Sequence, residues 1–386
     1  MLKIIHTSDW HLGHTLYGID RTEEQQSMLE QMESIVGHER PDLFLVSGDI
    51  YHTSQPSAAV QQMLMEAIVR MHDTNPTMVM VLTAGNHDSA SRHEIFRTPW
   101  RAMNVHTIGT LDKEHPENHI IELPGKGYIV AVPYAYERNI PDGFFQNLLD
   151  IVSERNHERL PVVMSAHTTV KGCDFTGHDH STDRTVGGID AYDLAEIGTG
   201  YDYLALGHIH RPQYIHSGKH NVRYSGTPLP ISFDETFEHS VSLVTIECHG
   251  ATPVVNTLHI TNPWPLVTLP ADGFVSWDEA KEELRQFPAD REAYIRLNVA
   301  VDDYLPTGAH AEASALSVGK RCRFCHINPI RRRSEGAQSR PMTIQQLRQE
   351  QPIDIARRYA RDSGLAFDDD LAALFAEAVE ETRNEN

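Results

Sequence analysis

Five apolar runs in the sequence end in side chains better suited to binding a metal than to packing. Asp9 and His11 follow KIIHTS, and Asp49 follows LFLVSG. Gly85, Asn86, His87 and Asp88 close MVMVLTA, His167 follows VVMSA, and YDYLALG runs into His208, Ile209 and His210. The donors are carboxylate, amide and imidazole with no thiolate, a set that suits Mn²⁺, Fe or Zn²⁺ over softer metals. A carboxylate such as Asp49 can bridge two ions. A pair of ions roughly 3.5–4 Å apart can bind a phosphate oxygen and acidify a water, which is the chemistry of phosphoester hydrolysis. Bound cations would also reverse the local sign and let acidic side chains face a polyanion.

Each element alone has an ordinary explanation. A Gly-Asp pair after a strand is a turn, and a His-x-His is a surface feature. Five of them at strand ends, in one order, call for a common position. In open α/β folds the carboxyl ends of strands converge on one edge, where sites are built. Residues two apart in extended chain point the same way, so Asp9 can join His11, and His208 can join His210. Glycines 13, 48, 85 and 207 allow tight turns beside the site.

The elements that must do this positioning are legible as an alternation. KIIHTS leads to TEEQQSMLEQMESIV, a helix opened by a Thr22/Gln25 capping-box spacing. LFLVSG, SAAVQQMLMEAIVRMHD and MVMVLTAG continue strand, helix, strand, and GYIVAVP, LPVVMSAH, YDYLALGHIH and HSVSLVTIE add further strands. The pattern is that of a layered α/β domain whose strands are covered on both faces. Near residue 260 the Pro-rich TNPWPLVTLPADG reads as a connector. The helix WDEAKEELRQF and the strands AYIRLNVAV and CRFCHINPI follow it as a small second domain. RRRSEGAQSRP reads as a link to a helical end with Leu371, Leu374, Phe375, Ala378 and Val379 on one stripe. The expected division is 1–262, 263–340 and 341–386.

The bulk numbers agree with a globular chain of two or three units: 386 residues, 40% hydrophobic, with a net charge of −21 that opposes general attraction to nucleic acid. No apolar run approaches the ~18 residues a membrane span needs. MLKIIHTSDWHLG turns polar too early for a secretory signal, so the expected location is cytoplasmic. The 4 cysteines make no disulfide framework. Cys322 and Cys325 lie three apart in an extended stretch and should face opposite sides rather than share a zinc ion.

The order D-x-H, G-D, G-N-H-D, H, G-H-x-H resembles the calcineurin-like metallophosphoesterase superfamily. HTSDWHLG, GDIYHTSQPS, ALGHIHRPQ and RYSGTPLPISFDE resemble its DNA-repair nuclease branch. The resemblance covers roughly residues 1–250. It implies an α-β-β-α sandwich with a small α+β capping domain and a helical C-terminal tail. It further implies that Asp9, His11, Asp49 and His210 hold one Mn²⁺ and that Asp49, Asn86, His167 and His208 hold the other. His87 would contact the scissile phosphate as general acid. His52 stands where protein phosphatases of the superfamily have Asp, and its role would be to support His87 or touch DNA.

The implied activity is that of a 3′–5′ double-strand exonuclease and a single-strand and hairpin endonuclease acting on DNA ends and hairpins, placed at the nucleoid. The implied partner is a coiled-coil ATPase bound through the C-terminal helices. A homodimer within a heterotetramer would be formed through helices near 58–72 and 91–103, which carry Phe96 and Trp100. Lys320, Arg321, Arg323, Arg331, Arg332 and Arg333 form a basic stretch in an acidic chain and read as a DNA-backbone contact. His178 and His180 read as a solvated loop, and His6 as a packed group. The competing functions are a phosphoesterase acting on nucleotides or phosphoproteins, and a non-enzymatic DNA-end tether.

Overall fold

The computed structural model describes residues 1–177, 191–215 and 220–332, together with 353, 354, 356, 357, 360, 367, 368, 371, 372, 374 and 375. Its first half alternates β1 (Leu2–Thr7), α1 (Thr22–Glu39), β2 (Leu43–Ser47), α2 (Ala58–Thr74) and β3 (Val79–Thr83). Two short helices, α3 (Ala90–Ile95) and α4 (Arg97–Arg101), lead to β4 (Val105–Ile108). The second half carries β5 (Ile120–Leu123), β6 (Gly127–Val132), α5 (Phe144–Arg155), β7 (Val162–His167) and β8 (Thr169–Val170). Then come β9 (Ala191–Tyr192), α6 (Leu194–Ile197), β10 (Tyr203–Gly207), β11 (Gln213–Tyr214), β12 (Val222–Tyr224), β13 (Ser240–Ile246) and β14 (Val254–His259).

Two six-stranded sheets, ordered β14-β13-β1-β2-β3-β4 and β11-β12-β10-β7-β6-β5, lie face to face. Side chains alternate across each strand, and both sets are apolar. Ile4, Leu43, Leu45 and Val81 of one sheet meet Ile129, Val163, Tyr203 and Ala205 of the other in the middle layer. The opposite faces of the first sheet, Ile5, Phe44, Val46 and Leu82, are covered by Met28, Met32, Leu64 and Ile68 of α1 and α2. Phe144, Leu148 and Val152 of α5 cover the second sheet. The result is the expected α-β-β-α sandwich. Parallel pairing of β1, β2 and β3, and of β7 and β10, brings their carboxyl ends to one edge.

Beyond residue 262 the chain forms β15 (Leu266–Leu269), α7 (Trp277–Gln286), β16 (Ala293–Val301), α8 (Ala309–Leu316) and β17 (Cys322–Arg331). Both strand pairings are parallel, so the cap is a βαβαβ unit rather than the expected α+β arrangement. Parallel neighbours need crossovers, and α7 and α8 supply them. A bulge at Cys325 separates it from Cys322: Cys322 joins the cap core and Cys325 the cluster beneath the cap.

The expected capping box at Thr22 is also corrected. Arg21 is the residue before the helix, and it makes no side-chain cap. Gln25 instead accepts from Gly13 N at 2.9 Å and donates to His14 O at 3.2 Å, tying down the loop after His11. The single helix expected near 91–103 is split at Phe96, where Pro99 removes an amide. Phe96 and Trp100 pack on the core around α2. Of the C-terminal stripe, Leu371 and Leu374 are exposed. Ala378, Val379, Arg333, His178 and His180 lie outside the described residues.

Candidate metal centre

The loops after β1 and β2 leave the sheet together. His11 N donates to Asp49 O at 3.0 Å, Leu12 N to Ile50 O at 2.9 Å, and His52 N to Leu12 O at 3.0 Å. Asp9, His11, Asp49 and His208 all have positive φ, between 46° and 92°. Non-glycine residues hold that conformation only where the surroundings enforce it, and such strain concentrates at functional sites. Glycine is required beside them. A Cβ at Gly48 would collide with the His167 ring, and one at Gly85 with the Asp49 carboxylate. Asp88 staples the edge: its buried carboxylate accepts from Gly85 N and Tyr51 N, both at 2.9 Å, and from Ile50 N at 3.1 Å.

All seven candidate ligands meet at this edge. His11 Nε2 is 3.3 Å from His210 Nε2 and 3.8 Å from Asp49 Oδ2. The same Asp49 oxygen is 3.3 Å from His167 Nε2, which lies 3.0 Å from Asn86 Oδ1. That amide oxygen is also 3.0 Å from His208 Nδ1. Donor atoms of Asp9, His11 and His210 lie within 4.8 Å of one another, as do those of Asp9, Asp49 and His167. The two groups share Asp9, and Asp49 Oδ2 lies within 3.8 Å of one imidazole nitrogen from each.

The hydrogen bonds fix which nitrogens face inward. The carbonyl of Ser47, 2.7 Å from His167 Nδ1, can only accept. The Glu235 carboxylate, 2.9 Å from His210 Nδ1, likewise accepts. Both rings thus carry a proton on Nδ1 and turn Nε2 toward the cluster, where a divalent cation would take the place of the proton on that nitrogen. His11 Nδ1 is buried with no hydrogen-bond partner among the described residues.

Electrostatics point the same way. Burial raises the Asp9 carboxyl, with His167 and His210 opposing. Burial would also raise Asp49, but the His167 imidazole beside it brings it below the usual carboxylate range. Burial opposes the charged form of His167, yet Asp49 holds it up at about 9. Burial pushes His11 well below its ordinary value. Buried, mutually dependent charges of this kind fit a site completed by cations. The donor set and the inward-facing Nε2 atoms of His167 and His210 fit divalent ions.

His87 is pinned by two contacts. Its N–H donates to Asp49 Oδ1 at 2.9 Å and its Nδ1 donates to His52 O at 3.0 Å, so Nε2 faces outward to the site. His52 thus reaches His87 through its backbone carbonyl as well as by stacking, with centroids 5.6 Å apart. Ligand atoms of His11, His52 and His87 also lie within 4.8 Å, a grouping that the sequence motifs do not announce. His6 is a packed group as expected: its Nδ1 is 2.9 Å from Tyr203 Oη.

Glu235 and Tyr134 are site residues that sequence reasoning missed, and Asp88, singled out with the strand-end donors, serves instead as the backbone staple. Tyr134 lies 6.2 Å and 6.4 Å, ring to ring, from His167 and His208. No periodicity marks them, although Glu235 ends the RYSGTPLPISFDE segment.

The basic stretch divides. Lys320 Nζ donates to the carbonyls of Leu284, Arg285 and Phe287 at 2.7–2.8 Å, capping the end of α7. Arg323 lies over Trp264 at 3.9 Å beneath the cap. Arg321, paired with Glu292, remains exposed along with Arg331 and Arg332.

The calcineurin-like phosphoesterase family model matches residues 2–212, a span that contains every candidate ligand. The SbcD component of nuclease SbcCD from Rhodobacter capsulatus is 31% identical over 300 residues, 70% of this chain and 72% of that one. The SbcD protein of Escherichia coli is 27% identical over 79% of each chain. That of Bacillus subtilis is 30% identical over 85% of this chain and 86% of its own. With its divalent-metal donor cluster in place, the chain belongs to the SbcD family of calcineurin-like phosphoesterases, the metal-dependent nucleases.

Proposed function

We propose that the chain hydrolyses DNA phosphodiesters at a dinuclear Mn²⁺ site, as a 3′–5′ double-strand exonuclease and a single-strand and hairpin endonuclease. The observation that carries this is Asp49, whose one carboxylate oxygen lies 3.8 Å from His11 Nε2 and 3.3 Å from His167 Nε2. Asp9, His11, Asp49 and His210 hold one cation. Asp49, Asn86, His167 and His208 hold the other. Bound there, the pair supplies charge neutralisation at the phosphate and a more acidic water.

The chain's own residues supply orientation and proton transfer. His87 faces the leaving oxygen with Nε2. Because its Nδ1–H is engaged by the His52 carbonyl, the proton it delivers leaves from Nε2. His52 supports that ring. Arg331, Arg332 and Arg333, with Arg321, are proposed to contact the DNA backbone. Lys320 and Arg323 hold the cap together and can reach DNA only by giving up those contacts.

We further propose the division into 1–262, 263–340 and 341–386, a cytoplasmic location at the nucleoid, and a homodimer joined to an SbcC-like ATPase through the C-terminal helices. The names of the similar proteins, each one subunit of a nuclease called SbcCD, support a partner subunit, and exposed Leu371 and Leu374 support the helical contact. The rival activity on nucleotides or phosphoproteins is tested by assaying the purified chain with Mn²⁺. End-labelled duplex and hairpin DNA would be offered beside cyclic nucleotides and phosphopeptides. Preferential cleavage of the DNA substrates is expected, and turnover of only the small substrates would overturn the reading.

A further inference from the structure

Glu235 is a carboxylate with a fully buried side chain in a chain of net charge −21, and no step of the hydrolysis consumes it. Its Oε1 accepts a hydrogen bond from His210 Nδ1 at 2.9 Å, while Oε2 accepts from Thr227 Oγ1 and Ile231 N, each at 3.2 Å. The two residues before it are gripped by the cap. Asp234 Oδ1 accepts from Arg296 Nη1 of β16 at 2.7 Å. Phe233 packs with Tyr294 and Cys325 and lies 5.2 Å from the same Arg296 guanidinium. Three consecutive side chains therefore run from the apolar cluster beneath the cap, through an ion pair to the cap, to a metal-ligand imidazole.

The loop that starts at His11 is tied down in the same place. Leu16 joins that apolar cluster, and Tyr17 stacks on His326 of β17 with centroids 4.8 Å apart and planes 9° from parallel. His11 and His210 are the two imidazoles assigned to the first cation. His167, assigned to the second, is held from inside the sandwich by the Ser47 carbonyl.

We propose that the cap sets the affinity of the first cation: Glu235 is a positioning residue for His210, and the Asp234–Arg296 ion pair holds Glu235 in place. This rests on the reading that Asp9, His11, Asp49 and His210 share a cation. Partners behind a metal-bound imidazole govern its orientation and basicity, and their loss costs ten- to a hundredfold in affinity. The Arg296 side chain is 13% exposed and Asp234 29%, so the pair is shielded from the full screening that weakens surface bridges. Linkage makes the coupling reciprocal, so binding the cation also holds the cap.

The test is calorimetric titration of the metal-free full chain with Mn²⁺. Wild type is expected to bind two ions. Glu235→Gln and Arg296→Ala are each expected to weaken one of the two by about tenfold and to leave the other unchanged. The charge swap Asp234→Arg with Arg296→Asp is expected to recover affinity lost in Arg296→Ala. Circular dichroism of the metal-free proteins checks folding, and Arg296→Lys, expected to fall between wild type and Arg296→Ala, serves if the alanine variant does not fold. Unchanged affinity in Glu235→Gln overturns the positioning role. A weakened Glu235→Gln beside an unchanged Arg296 variant overturns the cap coupling. Wild type that binds no Mn²⁺ overturns the underlying site, and is told apart because it needs no variant.

Discussion

His87 and Asn86 are neighbours with different tasks, and the difference lies in where each is anchored. The Asn86 amide oxygen is 3.0 Å from both His167 and His208, inside the donor cluster. The His87 ring lies beside His11, with centroids 4.9 Å apart, but its Nδ1 is engaged by the His52 carbonyl, leaving one nitrogen for the substrate. Removing the imidazole should therefore spare the cations and remove a proton donor. His87→Ala is expected to keep two bound Mn²⁺ by calorimetry and to lose about 10²–10⁴-fold in single-turnover cleavage of duplex DNA. Wild-type cleavage in that variant would remove the acid role. The Asn86 and His87 assignments follow from the resemblance that the G-N-H-D order carries. The Glu235 contact joins residues 25 apart in sequence across β11 and β12, and no local pattern announces that.

At the scale of elements, the strands that carry the ligands were the legible ones. Each of β1, β2, β3, β7 and β10 is apolar on both faces, so hydrophobic runs and their ends could be read directly. Strands at or near the sheet edges were not readable in this way: β4, β5 and β12 have only three or four residues, and β14 is largely exposed. The Thr22/Gln25 spacing misled because Gln25 serves the loop at residues 13 and 14 rather than its own helix end. Pairing direction in the cap is set by strands far apart in sequence, which composition does not report. What joins the ligand strands into a site is the Asp88 staple across the ends of β2 and β3. Asp88→Ala would leave the amides of Gly85, Ile50 and Tyr51 without their acceptor. We expect a loss of at least ~2 kcal/mol in urea unfolding, with weakened Mn²⁺ binding. A variant as stable as wild type would show that the loops hold themselves.

At the scale of the whole molecule, the sandwich buries polar groups between its sheets, and these tie stability to pH. His6 faces Tyr203 of the opposite sheet, and burial, aided by Arg223, pushes its imidazole down to about 3. Unfolded, it titrates near 6.5, so between those values the unfolded chain binds the extra proton. Stability is then fully present above about pH 6.5 and falls by about 1.4 kcal/mol per unit as the pH drops toward 3. Urea unfolding of the metal-free chain at pH 7.5, 6.0 and 5.0 should show this slope, reduced by that amount in His6→Phe. An equal slope in both proteins would place the pH sensitivity elsewhere.

The whole molecule also brings imidazoles from the two sheets to within 3.8 Å of one Asp49 oxygen. Anomalous diffraction from crystals soaked in Mn²⁺ tests this most directly. The account predicts two manganese peaks roughly 3.5–4 Å apart with Asp49 bonded to both. A single peak, or two peaks that do not share Asp49, would contradict it.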